Sequence, residues 1–299
     1  MTSAAFSVSG TTQLYGLMGY PVTHSLSPLM HTTAFHYYHL DCLYVPFPVL
    51  PEQLPHAVSG AVALGICGFN VTIPHKEAIL SLLDTVSAEA RFVGAVNTVH
   101  IVEGRTIGYN TDGKGFLEPL KALALPLADM PALVLGAGGA ARAITMALLQ
   151  AGCPMLSIAN RTYERGARLA VELQQQFPAA RIGAVALDEA ARVAGQSRLV
   201  VNATAVGLRA DAGALLPASC FGPQQVVYDI VYRPLYTPLL QAARRRGATV
   251  IPGIEMLLGQ GAEAFRLWTG CVFPEDVVRK AVYAVLTRPP TEEQDETPH

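Results

Sequence analysis

The sequence predicts an α/β protein built from two units, and three observations carry that expectation. Short apolar runs alternate with helical patterns along most of the chain, the rhythm of mainly parallel sheets covered by helices. A glycine-rich turn, GAGGAA, stands between an apolar run and a helical pattern. The 299 residues, 51% of them hydrophobic, suffice for two cores of ordinary size.

Taken in order, QLYGLMG, CLYVPFPV and GFNVTIP read as strands, separated by the helical patterns SPLMHTTAFHYYHL and PEQLPHAVSGAVALG. HKEAILSLL reads as a further helix. AVNTVHIVEG and RTIGYNTDG are extended segments joined at Glu103-Gly104, an expected hairpin and antiparallel edge. A helix is expected from about Gly113 to Leu123. A second series then runs PALVL, MLSIANRT, RIGAVAL, LVVNATAVG, VVYDIVY and ATVIPG, whose nearly unbroken apolar strands suit a sheet covered on both faces. IEMLLGQGAEAFRLWTG and PEDVVRKAVYAVLTR read as helices. The Pro-rich, acidic RPPTEEQDETPH reads as a disordered tail.

Charge and cysteine usage narrow the function classes. The balance of 21 basic and 23 acidic residues, with no basic run longer than Arg244-Arg245-Arg246, argues against a nucleic-acid partner. MTSAAFSVSG lacks a secretion pattern, and no apolar stretch approaches about 20 residues, so a soluble cytoplasmic protein is expected. The five cysteines are scattered and never spaced as CxxC, as reduced core residues would be. The three N-x-T sequons at Asn70, Asn160 and Asn202 then have some use other than glycosylation.

One residue stands out by composition. The chain has 17 arginines and only four lysines, so Lys76, directly behind the strand-breaking Pro74, calls for a reason beyond positive charge. An ammonium loses its proton when partly desolvated and a guanidinium does not, which suits lysine to acid or base chemistry.

Gly136, Gly138, Gly139 and Ala140 belong to a G-x-G-x-x-A turn directly after PALVL. The glycines permit a tight turn and close approach to a pyrophosphate, and the following helix offers free N–H groups. In isolation the pattern also fits a packed strand-to-helix turn; between a strand and a helix it reads as a dinucleotide site. The next strand ends in Asn160, Arg161 and Thr162, with Arg165 one turn on, instead of the acid that binds the ribose of NAD. Guanidinium groups there favour the 2′-phosphate of NADP. The plainer alternative is that Thr162 caps its helix and the arginines are solvated.

Other polar clusters fall where strands end: Ser25-Leu26-Ser27, Asn70 to Lys76, Asn97-Thr98 and Asn110-Thr111-Asp112. Each has an ordinary reading. Ser27 before Pro28 is a good helix N-cap, Asp112 could cap the next helix, and Asn97 could belong to a turn.

Together, HSLSP, NVTIPHK, GAVNT, GYNTDG, GAGGAARA, NRT, NAT, YDIVYRP and GIEML..Q occur in this order across residues 24 to 260, and the series resembles the shikimate dehydrogenase family. The resemblance implies an N-terminal substrate domain (1–113), a Rossmann-like NADP domain (114–251), helices returning to the substrate domain (252–288) and a tail (289–299). It implies reversible NADP-dependent interconversion of shikimate and 3-dehydroshikimate in aromatic amino-acid biosynthesis. Ser25 and Ser27, helped by Tyr232, correspond to the substrate-carboxylate binders; Thr72, Asn97, Asp112 and Gln260 correspond to readers of the ring hydroxyls. Lys76 and Asp112 correspond to the catalytic pair, Thr204 belongs to the cofactor set, and Gly253 and Met256 should neighbour the nicotinamide. A monomer or homodimer is expected.

His75 reads as a packing residue. His24, His31, His36 and His39 lack the spacing of a zinc motif, so no metal is expected. Ser27 favours shikimate over quinate, since a threonine in that place suggests quinate. The rivals are an enzyme that uses quinate or NAD, a non-catalytic ligand-sensing paralogue, and an NADP dehydrogenase acting on a folate; SLSP and NTDG speak against the last.

Overall fold

The computed structural model describes residues 8–208 and 213–287. The first half runs β1 (Gln13–Gly19), α1 (Ser27–Tyr37), β2 (Cys42–Pro48), α2 (Leu54–Ala63), β3 (Gly68–Val71), β4 (Thr85–Val86), α3 (Ala88–Val93), β5 (Thr98–Val102), β6 (Arg105–Tyr109) and α4 (Asp112–Ala122). The second runs β7 (Ala132–Leu135), α5 (Gly139–Gln150), β8 (Met155–Ala159), α6 (Tyr163–Gln176), β9 (Arg181–Val185), α7 (Ala190–Ala194), β10 (Leu199–Asn202), β11 (Val226–Asp229), α8 (Pro238–Arg245) and β12 (Thr249–Pro252). Helices α9 (Ile254–Thr269) and α10 (Glu275–Leu286) close the described chain. The predicted acidic tail lies outside the described residues.

Two six-stranded sheets result. The first has the order β2-β1-β3-β5-β6-β4, parallel through β3 and antiparallel across β3-β5-β6. The second is wholly parallel, β12-β11-β10-β7-β8-β9, with every residue of β7, β10 and β11 buried. Apolar side chains cover both of its faces in two separate clusters, one including Ile144 and Leu156, the other Leu133 and Val200. This explains the unbroken apolar runs of the sequence.

Three expectations need correction. The Glu103-Gly104 hairpin forms, both residues adopting positive φ, but it is not the edge: β4 pairs outside β6. HKEAILSLL makes only a short 3-10 turn over Ala78–Leu82, because Asp84 exchanges hydrogen bonds with Thr106 and draws the chain out to β4. Ser27 is the first helical residue and not the cap; Leu26 holds the cap position without a side-chain bond, and the Ser27 N–H donates to Ser25 Oγ at 3.2 Å.

Helices α9 and α10 fold back onto the first half. Phe265 and Trp268 of α9 join the core of Tyr15, Phe35 and Tyr44, and the Trp268 indole N–H donates to the Val99 carbonyl at 3.0 Å. Helix α4 lies against α9 and α5, and Phe116 stacks on Tyr228 of β11 at 4.9 Å. The α4–α9 crossing is close because glycines meet there: a Cβ on Gly115 would lie 2.3 Å from the Gln260 nitrogen, and one on Gly259 would lie 2.8 Å from Gly115 Cα.

Candidate active site

Strand β3 ends at Val71, and the Thr72 N–H still donates to Met18 on β1. The chain then turns through Pro74. His75 is buried, with a ring nitrogen 2.7 Å from the Val49 carbonyl, so it anchors the turn as the packing reading had it. Next, the Lys76 carbonyl accepts from the Val96 N–H at 2.8 Å, which ties the lysine's backbone to the segment leading into β5.

Lys76 Nζ lies 2.5 Å from Asp112 Oδ2, the side chains being 18% and 5% exposed. Asp112 is the first residue of α4, where the helix dipole favours a negative charge, but its carboxylate does not cap that helix. Its Oδ1 accepts from Asn97 Nδ2 at 2.8 Å. The Asp112 N–H donates to Asn110 Oδ1 at 3.0 Å, while Asn110 Nδ2 holds the Ala95 carbonyl. The GYNTDG turn is thus stitched to GAVNT through side chains, and Asn110, to which the sequence assigned no role of its own, is a site-building residue.

A second polar group gathers around the start of α1. Tyr232 is brought beside Ser25; burial pushes its hydroxyl above the ordinary tyrosine range, while hydrogen bonding to Leu26 and Ser25 opposes the shift. Ser27 is buried and Ser25 half-buried. Gln260 is set between α4 and α1 by its flanking glycines, since a Cβ on Gly261 would reach within 2.6 Å of Met30. Its amide nitrogen donates to Leu257 of its own helix. The Thr72 methyl packs over Gly19, where a Cβ would meet it at 2.2 Å.

The glycine turn occupies the point where the parallel sheet changes direction, between β7 and β10. Gly136 has φ +118° and faces the chain after β10: a Cβ on it would lie 2.9 Å from the Ala203 oxygen and 3.2 Å from Thr204 Cγ2. Thr204 is held there by its hydroxyl donating to Asn202 Oδ1 at 2.7 Å. A Cβ on Gly138 would meet nothing within 4 Å, so the surface before the α5 N-terminus is open, and the first turn of α5 has no acid and no side-chain cap. Such a cradle fits a dinucleotide pyrophosphate. Thr162 occupies the cap position of α6 without a capping bond; its carbonyl accepts from Asn160 Nδ2, and Arg161 and Arg165 are exposed.

Lys76 and this cradle adjoin: a Cβ on Gly139 would touch Lys76 Cβ and Cδ at 3.7 and 3.8 Å. Gly253 and Met256 are buried. A Cβ on Gly253 would collide with the Ile230 carbonyl at 2.3 Å, and Met256, 6% exposed, packs in the core with Phe116 and Tyr228. A cleft of about 450 Å3 between α3, α4 and α5, lined by Glu89, Phe92, Lys114, Leu117 and Met146, contains neither Lys76 nor Asp112. Among the described residues no group of three His, Cys, Asp or Glu is placed to hold a metal, and no helix is long and apolar enough to cross a membrane.

A parallel sheet in the 3-2-1-4-5-6 strand order, with a glycine turn at its switch point abutting a Lys–Asp pair from a second sheet, defines a two-domain nicotinamide-dependent dehydrogenase. The comparisons carry this further. Residues 17–99 match the model of the shikimate dehydrogenase substrate binding domain, residues 120–208 that of shikimate / quinate 5-dehydrogenase, and residues 253–283 that of the shikimate 5'-dehydrogenase C-terminal domain. The chain belongs to the shikimate dehydrogenase family. It is 46% identical to the shikimate dehydrogenase (NADP(+)) of Citrifermentans bemidjiense, over 94% of this chain and 98% of the relative. The crystal structure of the Thermus thermophilus shikimate 5-dehydrogenase in complex with NADP(H) and shikimate is 43% identical, with a TM-score of 0.83, over 92% of this chain and 100% of that one. Quinate dehydrogenase from Corynebacterium glutamicum, in complex with NAD, is 33% identical with a TM-score of 0.82, over 91% and 99%.

Proposed function

We propose that this protein catalyses the reversible NADP-dependent oxidation of shikimate to 3-dehydroshikimate, with Lys76 and Asp112 as its catalytic pair. The observation that carries the proposal is the Lys76–Asp112 contact of 2.5 Å, made at the seam where Lys76 meets Gly139 of the cofactor cradle. NADP, when bound, supplies the acceptor for the hydride that leaves the alcohol carbon. As that carbon is oxidised its hydroxyl sheds a proton, and in reverse the forming alkoxide needs a donor.

Lys76 Nζ serves that oxygen, stabilising its negative charge and holding or passing on the proton; its 18% exposure leaves a route to water. Asp112 fixes the ammonium through Oδ2, and Asn97 fixes Asp112 through Oδ1. Asn97, Thr72 and Gln260 read the ring hydroxyls. Ser25, Ser27 and Tyr232 take the carboxylate with neutral hydroxyls, which bind an anion without adding a fixed charge near the reacting centre. Gly136, Gly138, Gly139, Ala140 and Thr204 receive the pyrophosphate side, and Arg161 and Arg165, with Asn160 and Thr162, the adenosine 2′-phosphate. Gly253 and Met256 shape the nicotinamide side through backbone and packing. The domain limits 1–113, 114–251 and 252–288 follow the same division of labour, and the protein works as a monomer or homodimer in the cytoplasm.

The test is a four-way assay: purified protein with shikimate or quinate, each with NADP or NAD, following cofactor reduction. Shikimate with NADP is expected to dominate. Activity only with quinate and NAD would overturn the proposal.

A further inference from the structure

Behind Asn97 lies a chain of buried polar groups. Asn70 on β3 and Thr98 on β5 are direct cross-strand partners, so their side chains share one face of the sheet. Thr98 is fully buried and Asn70 almost so. Asn70 Oδ1 accepts from the Tyr44 hydroxyl at 2.7 Å, and Asn70 Nδ2 donates to the Asn97 carbonyl at 3.2 Å and to Thr98 Oγ1 at 3.0 Å. Thr98 Oγ1 in turn lies 3.0 Å from Asn97 Oδ1.

The orientation of the two amides in this chain follows from two groups with a single role each. The Asn97 backbone carbonyl only accepts, so the end of the Asn70 amide facing it is the nitrogen. Thr98 Oγ1 therefore accepts from Asn70, and its one proton goes to Asn97 Oδ1 at 3.0 Å in preference to Thr111 Oγ1 at 3.4 Å. The Thr111 N–H only donates, and it points at the same Asn97 Oδ1 from 2.8 Å. With the Thr111 hydroxyl also 3.2 Å away, three donors hold the oxygen end of the Asn97 amide inward, and its Nδ2 end is turned toward Asp112 Oδ1 and Thr111 Oγ1. The far end is rigid as well. The Tyr44 ring stacks on buried His31 at 4.6 Å, and burial pushes the Tyr44 hydroxyl well above its usual range, so it remains a donor.

We propose that Thr98 is a positioning residue for the dehydrogenation: its hydroxyl, committed by Asn70, orients the Asn97 carboxamide and through it the carboxylate of Asp112. Thr98 touches neither the lysine nor the substrate side directly, and acts through Asn97. The inference rests on the catalytic assignment of Lys76 and Asp112 made above.

The test compares Thr98→Val, which keeps shape and loses the hydroxyl, with Thr98→Ser, which keeps the hydroxyl. Turnover with shikimate and NADP is expressed per folded site, counted by NADPH-binding stoichiometry. Thr98→Val is expected to lower kcat per site roughly tenfold, the size of one hydrogen bond's net contribution, with an unchanged KM for NADP. Thr98→Ser should restore kcat to within about threefold of the parent. A Thr98→Val protein with parental kcat per site, or one whose lost activity is wholly accounted for by fewer folded sites, would overturn the proposal. So would a Thr98→Ser protein as impaired as the valine variant. An unsubstituted protein without shikimate turnover would overturn the dehydrogenase assignment, and this proposal with it.

Discussion

Replacing Lys76 with methionine keeps the apolar stem that lies along Gly139 and removes the ammonium. Two costs follow, and they are separable. The first is stability. Removing one partner of a buried ion pair costs about 3–5 kcal/mol when the remaining charge is stranded. Here Lys76 is 18% exposed, and Asp112 keeps the Asn97 amide and the α4 N-terminus, so a loss of about 1–3 kcal/mol is expected. The second is chemistry. A positioned proton donor or acceptor contributes about 10²- to 10⁴-fold, so kcat should fall by that factor while NADPH still binds.

Asp112→Asn supplies the cross-check. Because Lys76 and Asp112 act as one unit, the double variant should be scarcely worse than the poorer single one, as with other residues that share one task. The assay is NADPH formation from shikimate, with unfolding by denaturant run in parallel to count the stability cost. A Lys76→Met protein within threefold of parental kcat, or two single losses that simply multiply, would refute the reasoning.

Three other expectations rest on separate contacts. Gly138→Ala should leave the melting temperature unchanged, because its Cβ meets nothing within 4 Å, yet raise the KM for NADP; Gly136→Ala, at φ +118° and 2.9 Å from a carbonyl, should lower the melting temperature outright. Arg161→Ser should raise the KM for NADP about tenfold or more and leave that for NAD nearly untouched, measured by parallel cofactor titrations. Asp229 gives a pH dependence: burial raises its carboxyl to about 6, against the hydrogen bonds from Thr237, Val231 and Asn202. The native state therefore holds this proton more tightly than the unfolded chain, and the stability so gained is present at low pH and lost as pH rises through about 6. Relative to Asp229→Asn, the parent protein should lose at most about 3 kcal/mol of unfolding free energy between pH 4 and 6.5.

What the sequence disclosed was chiefly what is local in it. Alternating apolar runs gave the strands, and the strand-turn-helix pattern after PALVL gave the phosphate cradle, although the packing that demands Gly136 comes from Ala203 and Thr204 across the sheet. Lys76 was conspicuous because the chain elsewhere prefers arginine. Less legible are the residues whose reason lies across the fold. Gly115, Gly259 and Gly261 look like helix-weakening glycines until α4 and α1 press against α9 and deliver Gln260 between them. Asp112 offers a plausible helix cap from sequence, but its carboxylate is claimed by partners 36 and 15 residues away. Met256 falls in a segment suggestive of cofactor contact, and it shares a buried cluster with Tyr228 and Phe116.

The same distinction explains why the sequons at Asn70, Asn160 and Asn202 recur at strand ends. A strand that stops on the inside of a sheet leaves backbone groups needing partners, and a short amide supplies both a donor and an acceptor. Asn202 accepts from the Thr204 N–H and hydroxyl while donating to Asp229, so it closes the turn after β10 and neutralises part of a buried carboxylate. Asn160 holds the turn after β8. Asn70, still within β3, spends its amide across the sheet instead: its nitrogen donates to the Asn97 carbonyl and to Thr98 Oγ1, which orders the approach to Asp112. The asparagine-threonine pattern is thus a folding device in the cofactor sheet and a folding device joined to the chemistry in the substrate sheet. Lys76, six residues beyond Asn70, inherits its partner from that second use.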